Sequence, residues 1–216
     1  MLKLAAALVA GFVTMGGWAV VTVKDLPEYF VAGQQYTIEF QVRQHGRNLL
    51  NDLRPSLVMS NGKDETTIDA LARPSDGTYA VTFTAPAGPQ VFLTIKSGFM
   101  NNELRLYPQP VIAAGTSRPA MDARDRGQVL FVAKGCNTCH VNTDLADRPD
   151  NNAMTVGPAL GGRHLAREYV FQKVKKPSSQ VMPDLGLSDV EASAIAAFIS
   201  GERASAAGGG GGGGSR

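Results

Sequence analysis

The chain has 216 residues, a formal net charge of +2 at pH 7 and 44% hydrophobic residues. This length suits one large domain or two small ones, and the composition is typical of a globular protein rather than a disordered one. The small net charge and the lack of a basic block in the sequence argue against nucleic acid as a partner.

The N-terminal segment predicts export. Lys3 precedes an apolar run over about residues 4–23, and a positive charge before an apolar stretch is a secretory signal pattern. We expect residues 1–17 to be a signal peptide. A membrane anchor that is not cleaved is the alternative, because the run is nearly long enough to span a bilayer. The predicted location is the periplasm or the extracytoplasmic face of a bacterial membrane.

Residues 18–112 have the sequence character of an all-β domain. Short segments rich in β-branched and aromatic residues alternate with turn signals such as Asn61-Gly62 and Asp76-Gly77. The pattern predicts five strands, at 18–23, 36–44, 56–60, 78–84 and 90–96. Several short strands at this spacing favour an antiparallel, immunoglobulin-like β-sandwich.

The spacing of apolar residues changes after residue 112, which indicates a second domain. Residues 113–120 form a predicted linker without periodicity, and the apolar spacing then becomes helical. Helices are predicted from a cap at Asp122 to about Lys134, from about His164 to Lys176, and from a Ser188/Glu191 capping box to Gly201. The chain is thus a predicted two-domain α+β protein, with a helical domain over 121–203 and a flexible Gly-rich tail over 204–216.

Both cysteines of the chain lie in the sequence Cys136-Asn137-Thr138-Cys139-His140. This is the c-type haem attachment pattern, in which two thiols reach the vinyl groups of one porphyrin and the following histidine faces the iron. A redox dithiol would need a βαβ context. A structural zinc site would need four ligands, and only His45 and His164 remain to complete it. The motif therefore predicts one covalently bound haem c.

The segments around this motif resemble class I, mitochondrial-type cytochromes c over about residues 121–203. The similar segments follow the family's order and spacing: the first helix at 127–136, the proximal loop at 156–162, the sixth-ligand segment at 180–183 and the last helix at 188–200. The resemblance implies an all-α cytochrome c domain in which Gly127 lets the first helix cross closely over the last, near Phe198.

The resemblance also implies roles for single residues. Cys136 and Cys139 would be linked to the haem, His140 would be the proximal axial ligand and Met182 the distal one. The carbonyl of Pro158 would accept a hydrogen bond from the His140 ring and fix its orientation, as neighbouring groups do for metal-bound histidines.

Met154 and His164 are the alternatives to Met182 as distal ligand. Met154 lies in a polar loop close in sequence to the proximal histidine, and His164 opens a predicted helix. Met182 is favoured because Pro183 follows it, which rigidifies the loop and removes a backbone donor.

The predicted function is single-electron transfer, not enzyme catalysis, because two axial ligands leave no open position for a substrate. A membrane respiratory complex or a related redox protein would be the partner. Ready CO binding would instead indicate a haem enzyme or gas sensor. Basic residues near the motif predict docking to an acidic redox partner, with a solvated helix face as the alternative; they are Lys134, Arg163, Arg167, Lys173, Lys175 and Lys176.

Short patterns in the first domain, among them Leu26-Pro27 and Gln44-His45-Gly46, resemble the exported β-sandwich domains called YtkA-like. That resemblance implies copper handling or oxidase assembly as an alternative function. Copper would have His45, Met59 and Met100 as soft ligands, and these are scattered in sequence. The other interpretation is a docking module that holds the cytochrome near a membrane complex.

Overall fold

The computed structural model describes residues 17–73, 76–145, 154, 156–179 and 181–201. The Gly-rich tail and all of the predicted signal peptide except Gly17 lie outside the described residues. Within the described part of the chain, no helix is both long enough and apolar enough to cross a membrane.

Eleven strands precede residue 113 in the described residues. They are β1 (Ala19–Val23), β2 (Phe30–Val31), β3 (Gln35–Gln44), β4 (Asn48–Leu49), β5 (Ser56–Ser60), β6 (Glu65–Asp69), β7 (Leu71–Arg73), β8 (Thr78–Thr84), β9 (Gln90–Lys96), β10 (Glu103–Arg105) and β11 (Gln109–Ile112). The predicted strands at β5, β8 and β9 have the predicted bounds, and those at β1 and β3 differ by one residue at the start.

The strands form two sheets whose inner faces contribute to one buried core. One sheet has the order β1-β3-β8-β7 with β4 beside β3, and the other has the order β2-β11-β9-β5-β6 with β10 beside β9. The described strand pairs are antiparallel except β2 with β11, which is parallel. The second sheet is therefore mixed, whereas the described pairs of the first sheet are all antiparallel.

Alternation along the strands decides which side chains enter the core. In β3, Ile38, Phe40 and Val42 are buried while their neighbours are at least partly exposed. The same alternation in β9 buries Val91, Leu93 and Ile95. Each such side chain contributes about 1.5–3 kcal/mol when it is fully buried, so these two strands are central to the stability of the core.

Four helices follow in the described residues: α1 (Ala123–Ala133), α2 (Cys136–Cys139), α3 (Arg167–Lys175) and α4 (Asp189–Ser200). Asp122 caps α1 through its side chain, and both hydrogen bonds of the predicted capping box at α4 are present. The predicted start of α3 near His164 is wrong by three residues. His164 has φ +46, a left-handed conformation that cannot continue a right-handed helix.

The crossing of α1 over α4 depends on Gly127, as predicted. A Cβ atom at this position would lie 1.9 Å from the Ala194 carbonyl oxygen and 2.8 Å from Cβ of Phe198. Phe131 and Phe198 then meet edge to face, with ring centroids 5.6 Å apart. This packing holds the end of α1, and with it the haem motif that follows, against the last helix.

Helix α1 also contacts the strand region directly. The guanidinium of Arg126 donates hydrogen bonds to the carbonyls of Leu26 and Pro27. Near the other end of the helix, the Thr22 hydroxyl donates to the Lys134 carbonyl over 3.4 Å. The first strand and the segment after it therefore lie beside the cysteine motif.

Candidate haem site

A cavity of about 350 Å³ lies where the sequence-predicted segments meet. Its lining is mainly apolar and comes from the four helices and from the loops that follow α2 and α3. The lining residues include Phe131, Cys136, Cys139, His140, Pro158, Met182 and Ile195. A largely apolar cavity of this size, with a few converging polar groups, is typical of a cofactor site.

The turn into α2 places both cysteines at the cavity. Gly135 has φ +74, and a Cβ atom there would lie 2.5 Å from Cγ1 of Val20, so only glycine fits this turn. Helix α2 is a single turn, and Cys136 and Cys139 at its two ends both line the cavity and are free thiols. Two free thiols on one cavity wall suit a pair of thioether links.

The environment of the thiols argues against a redox dithiol. Burial, together with the neighbouring Cys139, raises the pKa of Cys136 to about 12, and burial also raises the pKa of Cys139. Thiol–disulfide chemistry proceeds through the thiolate, so a reactive pair needs a lowered pKa. The shift of both cysteines is thus opposite to the one that a reactive dithiol needs, which disfavours the dithiol alternative.

His140 is oriented by the loop that follows it. Its Nδ1 lies 2.9 Å from the carbonyl oxygen of Pro158 and donates to it, because a carbonyl only accepts. A Cβ atom at Gly157 would lie 2.4 Å from Cε1 of His140, so the loop can approach the ring only with glycine there. This arrangement leaves Nε2 as the ring nitrogen that is free to bind a metal.

Of the three predicted candidates for the distal ligand, the structure brings only Met182 to the cavity. Met182 is half-buried and packs against the hydrophobic core beside the cavity. Met154 is 42% exposed, His164 is exposed, and neither is among the residues that line the cavity. One cavity thus has an imidazole and a thioether in its lining.

Val20 lines the cavity too, and sequence reasoning missed it. It belongs to β1, in the part of the chain that the sequence assigned to a separate domain. A local pattern predicts which face of β1 is buried but not which distant segment covers it, so no signal in the sequence indicated this contact.

Lys134 does not belong to the exposed basic surface that the sequence predicted. It is only 3% exposed, donates a hydrogen bond to the Lys24 carbonyl and forms an ion pair with Glu191 over 2.6 Å. Burial raises the pKa of Glu191, but hydrogen bonds and attraction from Lys134, with hydrogen bonds from Ser188, outweigh it, so the pKa is lower than usual. Lys134 is therefore part of the cavity wall.

The other predicted basic residues differ among themselves. Arg163, Lys173 and Lys176 are exposed, and the first two line the cavity. Lys175 forms an ion pair with Asp189 over 2.9 Å, and Arg167 donates to Ser193. The positive surface near the cavity is thus smaller than the sequence indicated.

The predicted copper ligands lie in the strand region. His45 is exposed directly after β3, Met59 is half-buried in β5 of the other sheet, and Met100 is 67% exposed. His45 faces the Trp18 ring, with ring centroids 5.6 Å apart. Among the described residues, no group of three or more His, Cys, Asp or Glu side chains is arranged to hold a metal.

Comparison with known proteins bears on the helical part. Residues 122–199 match the family model described as cytochrome c oxidase, cbb3-type, subunit III. No curated protein matches the sequence. Among solved structures, the chain is similar to a Bacteroides vulgatus ATCC 8482 protein assigned as a glycoside hydrolase, with 17% identity and a TM-score of 0.32. That match covers 56% of this chain and 24% of the other, so this chain spans about a quarter of that protein's length.

The family match and the cavity agree with each other. The matched residues contain the two thiols, the oriented imidazole and the thioether that meet at one largely apolar cavity, and these are the donor types that attach and ligate a c-type haem. Residues 122–199 therefore match a cytochrome c domain family in sequence and contribute most of the lining of a cavity that suits a c-type haem.

Proposed function

We propose that this protein transfers single electrons through one haem c held by Cys136, Cys139, His140 and Met182. The supporting observation is the convergence of all four side chains on one cavity. When bound, a haem supplies reversible one-electron chemistry, and the protein sets its ligands and surroundings. Cys136 and Cys139 would hold it covalently, so that it stays in place through each redox cycle.

The remaining residues would adjust this chemistry. The Pro158 carbonyl holds the His140 ring in one orientation and makes its free nitrogen a better ligand. A methionine thioether is a soft ligand that raises the reduction potential, and apolar lining residues such as Phe131 and Ile195 keep water out. With both axial positions filled, the site would carry electrons without binding a substrate.

The proposed ligand set is tested at Met182. Met182→Ala should abolish the Fe–S charge-transfer band of the ferric protein and allow CO to bind the ferrous protein. Met154→Ala is the matched control, because Met154 is exposed and does not line the cavity. A band that survives in Met182→Ala, or that disappears in Met154→Ala, would contradict the assignment.

We also propose that the electron partner is an acidic redox protein or a membrane respiratory complex. The matching family model describes an oxidase subunit, and the exposed cations Arg163 and Lys173 at the cavity support an acidic partner. Such charges quicken encounter more than they tighten binding. Lys173→Glu should slow electron transfer to an acidic redox protein severalfold at low salt, whereas Lys63→Glu on a distant exposed turn should not. Equal rates for both variants would contradict this docking surface.

For the rest of the chain we propose export and a docking role. Residues 18–112 would be an Ig-like, YtkA-like β-sandwich that holds the cytochrome domain, 121–203, near its membrane partner through the 113–120 linker. Residues 1–17 would direct the protein to the extracytoplasmic side. N-terminal sequencing of the exported protein should begin near residue 18 if the segment is a signal peptide and at residue 1 if it is an anchor.

A further inference from the structure

The strand region contacts the loop that carries Met182. The start of β1 and the end of β3 form a corner, residues 17–20 and 43–46, which we call the β1–β3 corner. Gly46 is buried there with φ +72, and a Cβ atom on it would lie 3.8 Å from the Val181 carbonyl oxygen. Val20 of the same corner lines the cavity together with Met182. The corner therefore lies beside Val181, the residue before the proposed distal ligand.

The Met182 loop has few hydrogen bonds of its own. Among the described residues, none in 177–187 takes part in a hydrogen bond between two backbone groups. Side chains hold the loop instead: Ser179 accepts from the Val181 N–H, and Lys175 donates to the Leu187 carbonyl over 2.6 Å. A segment with so few backbone bonds opens easily unless other parts of the protein pack on it.

Electrostatic attraction adds to this packing. Burial lowers the pKa of Arg43 in the corner, and the negative charge of Asp184 in the loop opposes that shift. Nη2 of Arg43 donates to Gln41, whereas Nη1 is buried and has no hydrogen-bond partner among the described residues. In the described part of the chain, Arg43 and Asp184 do not form an ion pair within 4 Å. The attraction therefore acts at a longer range than a direct ion pair.

We propose that the β1–β3 corner clamps residues 181–184, with Arg43 as the positioning residue, and so keeps Met182 in place as an axial ligand. This inference rests on the proposed function of the haem site. Packing at Gly46 and attraction at Asp184 both favour the closed loop. An added ligand for ferric iron can bind only when Met182 leaves, so its apparent affinity reports the fraction of molecules with an open loop.

The clamp is tested by imidazole binding to the ferric protein at one fixed pH, followed by loss of the Fe–S charge-transfer band. Arg43→Gln and Asp184→Asn should each make imidazole bind about two- to fivefold more tightly, in line with the strength of exposed and half-exposed charge pairs. Asn keeps the oxygen that accepts from the Gly186 N–H, so the turn after Asp184 is retained. Arg47→Gln is the matched control. Arg47 is exposed and directly follows the β1–β3 corner in sequence, so its substitution should not change imidazole binding.

A double variant separates the clamp from indirect effects. If Arg43 acts through Asp184, the Arg43→Gln/Asp184→Asn protein should bind imidazole about as tightly as either single variant. Fully additive effects, no change in either single variant, or an equal change in Arg47→Gln would overturn the clamp. Since Asp184 is exposed, its variant keeps the test valid even if Arg43→Gln folds poorly. Lack of the charge-transfer band in the unaltered protein would instead refute the proposed ligand set.

Discussion

The buried ion pair between Lys134 and Glu191 is expected to contribute strongly to stability near the proposed haem site. The two side chains are 4% and 16% exposed, and their charged atoms are 2.6 Å apart. Removing one partner leaves the other charge buried and unpaired. In Glu191→Gln the one remaining side-chain oxygen can still accept the capping-box hydrogen bond from Ser188, while an uncharged NH2 group replaces the oxygen that faces Lys134, so the ion pair is lost. We expect a loss of about 3 kcal/mol in the free energy of unfolding, measured with urea.

Asp189→Asn provides the control on the same helix. Asp189 forms its ion pair with Lys175 over a similar distance, 2.9 Å, but its side chain is 82% exposed. Exposed pairs are worth about 0–1 kcal/mol, because water screens the attraction. Similar losses in the two variants would show that burial does not distinguish these pairs, contrary to our interpretation.

The same ion pair predicts a dependence of stability on pH. The pKa of Glu191 in the folded protein is lower than usual, so the folded state favours the charged carboxylate. The stabilisation is therefore complete above the unfolded pKa of about 4.3 and is lost as pH falls through the lower folded pKa. Urea unfolding from about pH 6 downwards should show a steeper loss in the unaltered protein than in Glu191→Gln. If stability fell with pH equally in the two proteins, this predicted pH dependence would be wrong.

Single residues were predictable where a short pattern carries the chemistry. Cys136, Cys139 and His140 form one local motif, and Met182 was indicated by resemblance in the surrounding segment. Val20 and the burial of Lys134 were not predictable, because both depend on contacts between residues far apart in the sequence. The roles of the haem-site residues stay predictions.

At the scale of elements, the crossing of α1 and α4 is the most sensitive contact. Gly127→Ala would gain about 1 kcal/mol in helix propensity, but its methyl group would meet the Ala194 backbone. Since backbone cannot move aside easily, we expect a net loss of about 3 kcal/mol, measured by thermal or urea unfolding. Gly115→Ala is the control: it has φ +78 but nothing within 4 Å, so only about 1 kcal/mol should be lost.

A Gly127→Ala protein as stable as the unaltered one would show that the helices can separate without loss. The close approach seen at Ala194 and Phe198 would then not determine the packing of the cytochrome domain. The predicted role of Gly127 in the helix crossing would then be wrong as well.

Elements were predicted well where periodicity or capping is strong. The alternation in β3, β8 and β9 and the capping box of α4 reflect local preferences that the fold retains. Strands β6 and β7 were missed because nearly all their residues are exposed, which leaves no alternation to detect. The two-residue strands β2 and β4 exist through pairing with longer neighbours, which a local sequence window does not reveal.

At the scale of the whole molecule, side chains from α1 couple the strand region to the cytochrome domain. Arg126 donates to the carbonyls of Leu26 and Pro27, and burial lowers its pKa while Glu28 and Glu191 oppose that shift. These contacts predict that both parts unfold together. The sequence indicated two regions and a linker but not this interface, because its partners have no common local pattern.

Arg126→Ala should separate the unfolding of the two parts. Trp18, the only tryptophan in the chain, lies at the start of β1 and reports on the strand region by fluorescence. Haem absorbance reports on the cytochrome domain. In the unaltered protein the two urea transitions should coincide, and in Arg126→Ala they should differ. Arg118→Ala, exposed in the linker, should leave them coincident; coincidence in both variants would argue against coupling through Arg126.

The most direct test of covalent haem binding is the intact mass of the chain after denaturation. The protein should be matured in an export-competent host with haem-ligation machinery, then acid-denatured and reduced. We predict the mass of the polypeptide plus one haem, and the bare polypeptide when Cys136 and Cys139 are both replaced by alanine. A bare polypeptide from the unaltered chain, or haem that separates on denaturation, would contradict the account.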